Sequence, residues 1–198
     1  MTGKGAEGSK EKFAEIIVSA IKQIQNNGNI DLKDIKIEKS KGDGIEDTEL
    51  ISGIVFDKEK VSHDMPSVVR NARIALIDSP LEIKNPEIDT KVSISTPEQL
   101  QGFLMQEERE IKSMVEKIKN SRANVVFCQK GIDDFAQYLL SKEKIYACRR
   151  IARSDMEKLS KATGGRIVSN LNELTSNELG SAEVVEEVIH GEDVLTYV

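Results

Sequence analysis

The sequence predicts an α/β fold. From Asn124 to Val168, apolar runs and helical patterns alternate. Ahead of that stretch, Ile35 to Ser95 reads mostly as short strands. Between the two, Thr96 to about Asn120 reads as a long helix. Strands separated by helices predict parallel pairing with right-handed crossovers.

The first element is an amphipathic helix, because Phe13, Ile16, Ile17, Ala20, Ile21 and Ile24 recur at three- and four-residue spacing. Asn26-Asn27-Gly28-Asn29 stops it, since Gly and Asn tolerate the left-handed backbone of helix ends; this tract is a candidate hinge or domain boundary. Ile35-Lys36-Ile37-Glu38 alternates, and Ile51 to Phe56 is an apolar run interrupted by Gly53. Arg73 to Ile77 reads as a buried strand, and Lys91 to Ile94 alternates again. Asp78-Ser79-Pro80 and Asn85-Pro86 supply turns. Thr96-Pro97-Glu98-Gln99 then joins an N-cap Thr, a Pro at the first helical position and a Gln three residues after the cap. The helix it opens has room for a break before Asn120. Asn124 to Cys128 is a strand, Ile132 to Leu140 a helix and Ile145 to Cys148 a strand. Ser154-Asp155-Met156-Glu157 reads as a second capping box, opening a helix that Gly164-Gly165 ends. Arg166-Ile167-Val168 is the strand after it, and Glu183 to Val198 returns to β alternation.

Composition narrows the function. The 198 residues are 38% hydrophobic and 31% charged, which suits a packed core rather than a disordered chain. Lys+Arg number 28 against 34 Asp+Glu, a formal charge of −6, whereas nucleic-acid binders carry a basic excess; no nucleic-acid partner is expected. No apolar run nears the roughly 20 residues that span a bilayer, and Met1-Thr2-Gly3-Lys4-Gly5 has no apolar leader, so no membrane partner is expected. Cys128 and Cys148 lack CxxC spacing, and only His63 and His190 could join them at a metal; neither a disulfide framework nor a metal site is expected, and the chain suits the cytoplasm.

Several short motifs invite a chemical reading. Gly3 to Lys10 hints at a phosphate loop, but Gly8 is followed by Ser9-Lys10 in reversed order, and a glycine-rich helix start explains it better. Gly42-Asp43-Gly44 lies in a polar connection and reads as a turn. His63-Asp64 has no nucleophile to pair with, and Asp133-Asp134 suits a first helical turn, so no catalytic residue is assigned. Arg149, Arg150 and Arg153 form a basic cluster that reads first as a solvated rim. The competing interpretation is a small α/β enzyme with an anion-binding site near Arg149 and Arg150. Leu100, Phe103, Leu104 and Met105 are separated from Ile111, Met114, Val115 and Ile118 by the polar run Gln106 to Glu110. Periodicity favours core packing for the first cluster; the other reading is a protruding apolar tip, a common mark of an interaction site.

At a larger scale the residues resemble a known family. Gly3-Lys4-Gly5-Ala6-Glu7, Gly53 to Glu59, Ala72 to Asp78, Asn124 to Asp134, Ser154 to Leu159 and Lys161 to Val168 together resemble the group II chaperonins, archaeal thermosome subunits above all. The resemblance implies a chaperonin apical-domain-like fold, a β/β/α swivelling domain with a helical protrusion, preceded by an intermediate-domain helix. Residues 1–28 match the first strip of the intermediate domain and 29–198 the apical domain, with the protrusion near 95–120. It implies a chaperone that binds unfolded or partly folded polypeptide and works beside other subunits in a double ring driven by ATP and Mg. The equatorial ATP site and the catalytic aspartate of the family have no counterpart here, so no enzyme activity and no cofactor are expected of this chain.

The same resemblance reverses the core-packing preference: Leu100, Phe103, Leu104 and Met105 become the polypeptide-binding tip of a built-in lid. It places a second contact in a groove beside Ser154 to Thr163, with Tyr138, Arg150 and Met156 as contributors. It also makes Asn26, Asn27, Gly28 and Asn29 a hinge, and brings Lys4 near the nucleotide in the intact family.

Overall fold

A computed structural model describes residues 10–25, 28–32, 50–83, 96–190 and 193–198, together with Ile35, Ile37 and Thr48. In chain order its elements are α1 (Lys10–Gln23), β1 (Val55–Phe56), β2 (Val68–Ile77), α2 (Pro97–Asn120), β3 (Val125–Cys128), α3 (Asp134–Lys142), β4 (Tyr146–Cys148), α4 (Arg153–Thr163), β5 (Ile167–Val168), β6 (Gly180–His190) and β7 (Asp193–Tyr197). The fold is α/β, as the sequence predicts.

The apolar strands dictate the layering. Val125-Val126-Phe127-Cys128 has no polar face and is buried throughout, so the sheet has to be covered on both sides there. β2 is the hub. Its Ile74 to Ile77 pair in parallel with β3, which pairs in parallel with β4. Along its other edge, Val68 to Ile74 pair antiparallel with β6, while Leu76 and Ile77 pair in parallel with β5. The antiparallel hairpin of β6 and β7, and then β1, complete the sheet.

Chain direction assigns the helices to faces. β3 and β4 step away from β2 one way, whereas β5 returns to the opposite edge. Crossovers of constant hand must then place α4 across the sheet from α2 and α3. The cores agree. Ile111, Val115 and Ile118 of α2 and Ala136 and Leu140 of α3 pack with Val126 and Cys128. Met156 and Leu159 of α4 pack with the alternate residues Val125 and Phe127. On that second face Phe127 meets Phe56 and Tyr146 edge-on at centroid distances of 5.2 and 6.5 Å.

Several expectations change in detail. The run Ile51 to Phe56 contributes only Val55–Phe56 as strand, and Ile35 and Ile37 lie in none. Lys91 to Ile94, Gly42 to Gly44, Lys4, Asn26 and Asn27 fall outside the described residues. α2 runs unbroken through Gly102. The capping box at Ser154 is not used: α4 begins at Arg153 with Ala152 as N-cap and no side-chain cap hydrogen bond. Buried Ile151, whose N–H donates to Cys128 O at 3.1 Å, and left-handed Arg150 fix the entry angle, so the chain is already helical at Ser154. The far end behaves as expected, with Gly164 at φ 72° closing the helix.

Candidate functional site

The long helix sets the geometry. Thr96 Oγ1 accepts from the N–H of Gln99 at 3.3 Å, Pro97 stands at the first turn, and Arg122 at φ 69° turns the chain after Asn120. At 1.5 Å per residue such a helix is about 36 Å long. Only its far half is held: Ile111, Val115 and Ile118 are buried. From Pro97 to Glu110 every residue is exposed except half-buried Glu107. Leu100, Phe103, Leu104 and Met105 are therefore open to solvent, at 48%, 43%, 52% and 51%.

The tip stripe is in phase with the core stripe. At about 100° per residue, Leu100, Leu104, Ile111 and Ile118 fall within about 40° of one another around the helix. The two apolar stretches of α2 thus lie on one line, broken at half-buried Glu107, which shares their phase, and the sheet and α3 cover only the second stretch. Exposed carboxylates flank it; Glu108 pairs with Lys112 at 3.4 Å, and Glu110 accepts from Gln106 at 3.4 Å.

Beside the helix lies an aromatic ridge. Tyr138, 52% exposed on α3, stacks with Phe135 at 6.4 Å and 14°. Lys112 of α2 lies 5.5 Å from the Phe135 ring, and Lys142 lies 5.3 Å from that of Tyr138. Tyr138 therefore borders α2 rather than α4.

The groove reading breaks up. Met156 is fully buried in the α4 core, and Tyr138 sits on a helix across the sheet from it. The Met156 side chain offers no surface to a ligand and shares none with Tyr138. Arg150 is exposed and lies elsewhere, beside a cavity of about 400 Å³ lined by residues 57–61, Arg149, Arg150, Asp193 and Val194. Acids and bases are mixed there. Lys60 is already committed, giving hydrogen bonds to Glu187 Oε2 at 2.7 Å and Ser67 Oγ at 2.6 Å. Among the described residues its lining is of charged side chains and two valines, with Arg149 and Arg150 set together with Asp57, Glu59 and Asp193 on a mixed-charge surface.

The other chemical candidates serve the fold. Asp133 caps α3, its Oδ1 accepting from the N–H of Phe135 at 2.8 Å, and Asp134 accepts from Gln137 at 3.1 Å. His63 is exposed in a turn. Burial pushes the thiols of Cys128 and Cys148 up to about 11 and about 12, so they are poor nucleophiles at neutral pH. Among the described residues no cluster of three His, Cys, Asp or Glu could hold a metal, and no helix is long and apolar enough to cross a membrane. Of the hinge tract, Gly28 stands at φ 84° and Asn29 is exposed.

An α/β sheet carrying a half-free helix matches known proteins over the whole chain. Residues 1–198 match the TCP-1/cpn60 chaperonin family, and the chain belongs to that family. Its similarity is to thermosome subunits: 52% identity over 202 residues to the beta subunit of Archaeoglobus fulgidus, and 53% over 202 residues to the alpha subunit of Thermoplasma acidophilum. Each alignment covers 100% of this chain and 37% of the relative, so the chain spans less than two fifths of their length. Among solved structures, the open-state monomer of a group II chaperonin from Methanococcoides burtonii has 40% identity and a TM-score of 0.75, covering 100% of this chain and 44% of that one.

Proposed function

We propose that this chain is the client-binding part of a thermosome-like chaperone subunit, and that α2 is both its polypeptide-binding tip and a segment of the lid. The observation that carries the reading is the first apolar cluster of α2, set apart from the buried one by the polar run Gln106 to Glu110 and exposed to solvent at Leu100, Phe103, Leu104 and Met105. Contiguous apolar surface of this kind is normally hidden or used. The tip is a helix held at one end, which suits partners of varied shape. Met105 adds a flexible thioether that adapts to different side chains. The ridge of half-buried Phe135 and exposed Tyr138 extends the surface toward α3, and its two lysines balance the glutamates of α2.

Burying one Leu, Phe or Met contributes about 1.5–3 kcal/mol, and association and ordering offset most of the sum over the tip. A single domain then binds weakly, and a ring of subunits strengthens the hold through effective concentration. In this reading residues 1–28 belong to an intermediate domain and 29–198 to an apical domain, with the hinge at Asn26 to Asn29 and Lys4 facing nucleotide bound elsewhere in the subunit. ATP and Mg act in those other parts, this chain carries no catalytic group of its own, and the assembly works in the cytoplasm.

The test is suppression of aggregation of a chemically unfolded client without ATP. The parent is compared with a folded Leu100→Ser/Phe103→Ser/Leu104→Ser/Met105→Ser variant. Protection that disappears in the variant supports the tip. Equal protection by both moves the contact to the ridge of Phe135 and Tyr138, which Tyr138→Ser then checks.

A further inference from the structure

The chain has five methionines and two cysteines. Their sulfurs differ sharply in access. Cys128 and Cys148 are buried, and burial keeps both thiols protonated at neutral pH. Met65 is 3% exposed and Met156 0%, while Met114 packs half-buried against the core. Met105 is 51% exposed, on the free half of α2, next to Leu104. Among the described methionines and cysteines, the most exposed is therefore the one in the apolar tip.

We propose that Met105 is an oxidation site for hydroperoxides, and that its sulfoxide loosens the tip's hold on unfolded polypeptide; the second half rests on the client-binding reading above. Thioether oxidation needs no ionised group, only access, so it proceeds where the two thiols are silent. The sulfur lone pair attacks the terminal peroxide oxygen, and the S–O bond forms as the O–O bond breaks. Sulfur is oxidised from thioether to sulfoxide, and the peroxide is reduced, its departing oxygen leaving as water or an alcohol after proton transfer. The sulfoxide oxygen is a strong acceptor. Pressed against an apolar client segment it loses water without gaining a donor, which disfavours the contact. Met105 lies about 100° around the helix from Leu104, at the edge of the stripe rather than on its centre line. Oxidation there should weaken binding rather than abolish it.

The folded chain is treated with hydrogen peroxide, quenched with catalase, and mapped by peptide mass spectrometry for addition of one oxygen at each methionine. In parallel, binding is read by anisotropy with a labelled, permanently unfolded polypeptide that lacks Met and Cys. Met105 is expected to oxidise at least about tenfold faster than Met65 and Met156, with binding weakening roughly three- to tenfold in step. Methionine sulfoxide reductases should restore binding. Met105→Leu should show no change on peroxide treatment, whatever its starting affinity, and Met114→Leu should respond like the parent. Oxidation of Met65, Met114 or Met156 at the same rate as Met105 overturns the site. Complete oxidation of Met105 with binding unchanged overturns the effect on clients. If the four-serine variant binds as tightly as the untreated parent, the client-binding reading has failed and the effect on clients falls with it. The site itself is judged by the peptide masses alone.

Discussion

Asn71 holds φ at 51° inside β2, and the pairing of β2 with β6 passes from Arg70 to Ala72 without it. Asn tolerates that left-handed geometry, whereas a β-branched residue does not. Its side chain is exposed, so a substitution there reports on the backbone. Asn71→Val is expected to cost about 1–2 kcal/mol in urea unfolding, and Asn71→Gly less than about 0.5 kcal/mol. Nothing in the strand's alternation announces this kink, and nothing in a single residue announces its face. Met156 and Leu159 stand three apart, the spacing of a buried helical stripe, and both are buried. Tyr138 is legible as exposed only once Ala136 and Leu140 are seen to take the inner face of α3.

At the scale of elements, α2 explains why periodicity misleads. The tip and base stripes share a phase, so any pattern test assigns both to the core; what differs is the neighbour, and neighbours are set by tertiary structure. Spacing alone does not mark Leu100, Phe103, Leu104 and Met105 as exposed; the reading of these four as a tip comes from the resemblance to chaperonins. Gly102 weakens this free half without breaking it, and a Cβ there would meet nothing within 4 Å among the described residues. Gly102→Ala should slow amide exchange from Glu98 to Glu108 by an amount equivalent to about 0.5–1 kcal/mol. Global stability should stay nearly unchanged, because Pro97 to Gln106 are all exposed. The loop after β1 behaves oppositely. Lys60 and Glu187 pair at 2.7 Å with side chains only 8% and 13% exposed, and the N–H of Lys60 donates to the same carboxylate at 3.0 Å. Lys60→Met strands a nearly buried charge and should destabilise by about 3 kcal/mol, while Lys60→Met/Glu187→Leu should recover most of that loss. A double-mutant cycle in urea reads both.

For the whole molecule, the βαβαβ order from Asn124 to Val168 was legible because apolar strands and capped helices follow one another at short range. The return of β5 to the far edge of β2, which puts α4 on the other face, was not, since it depends on which edges remain open after β3 and β4 have paired. That two-faced sheet has an alkaline consequence. Cys128 is buried on one face and Cys148 on the other, and desolvation raises both thiols from 9.0, to about 11 and about 12. A group whose folded pKa lies above its unfolded value stabilises the fold fully below the unfolded value, and loses that contribution as pH rises toward the folded one. Between pH 9 and 11 each thiol should therefore weaken the folding equilibrium by up to about tenfold per pH unit. Cys128→Ala/Cys148→Ala starts less stable, because it opens a small cavity on each face, yet its urea midpoint should fall more gently above pH 9 than the parent's. Parallel curves across that range would mean that the thiols ionise as readily in the folded chain as in the unfolded one, and that neither face of the sheet is as closed to water as its packing implies.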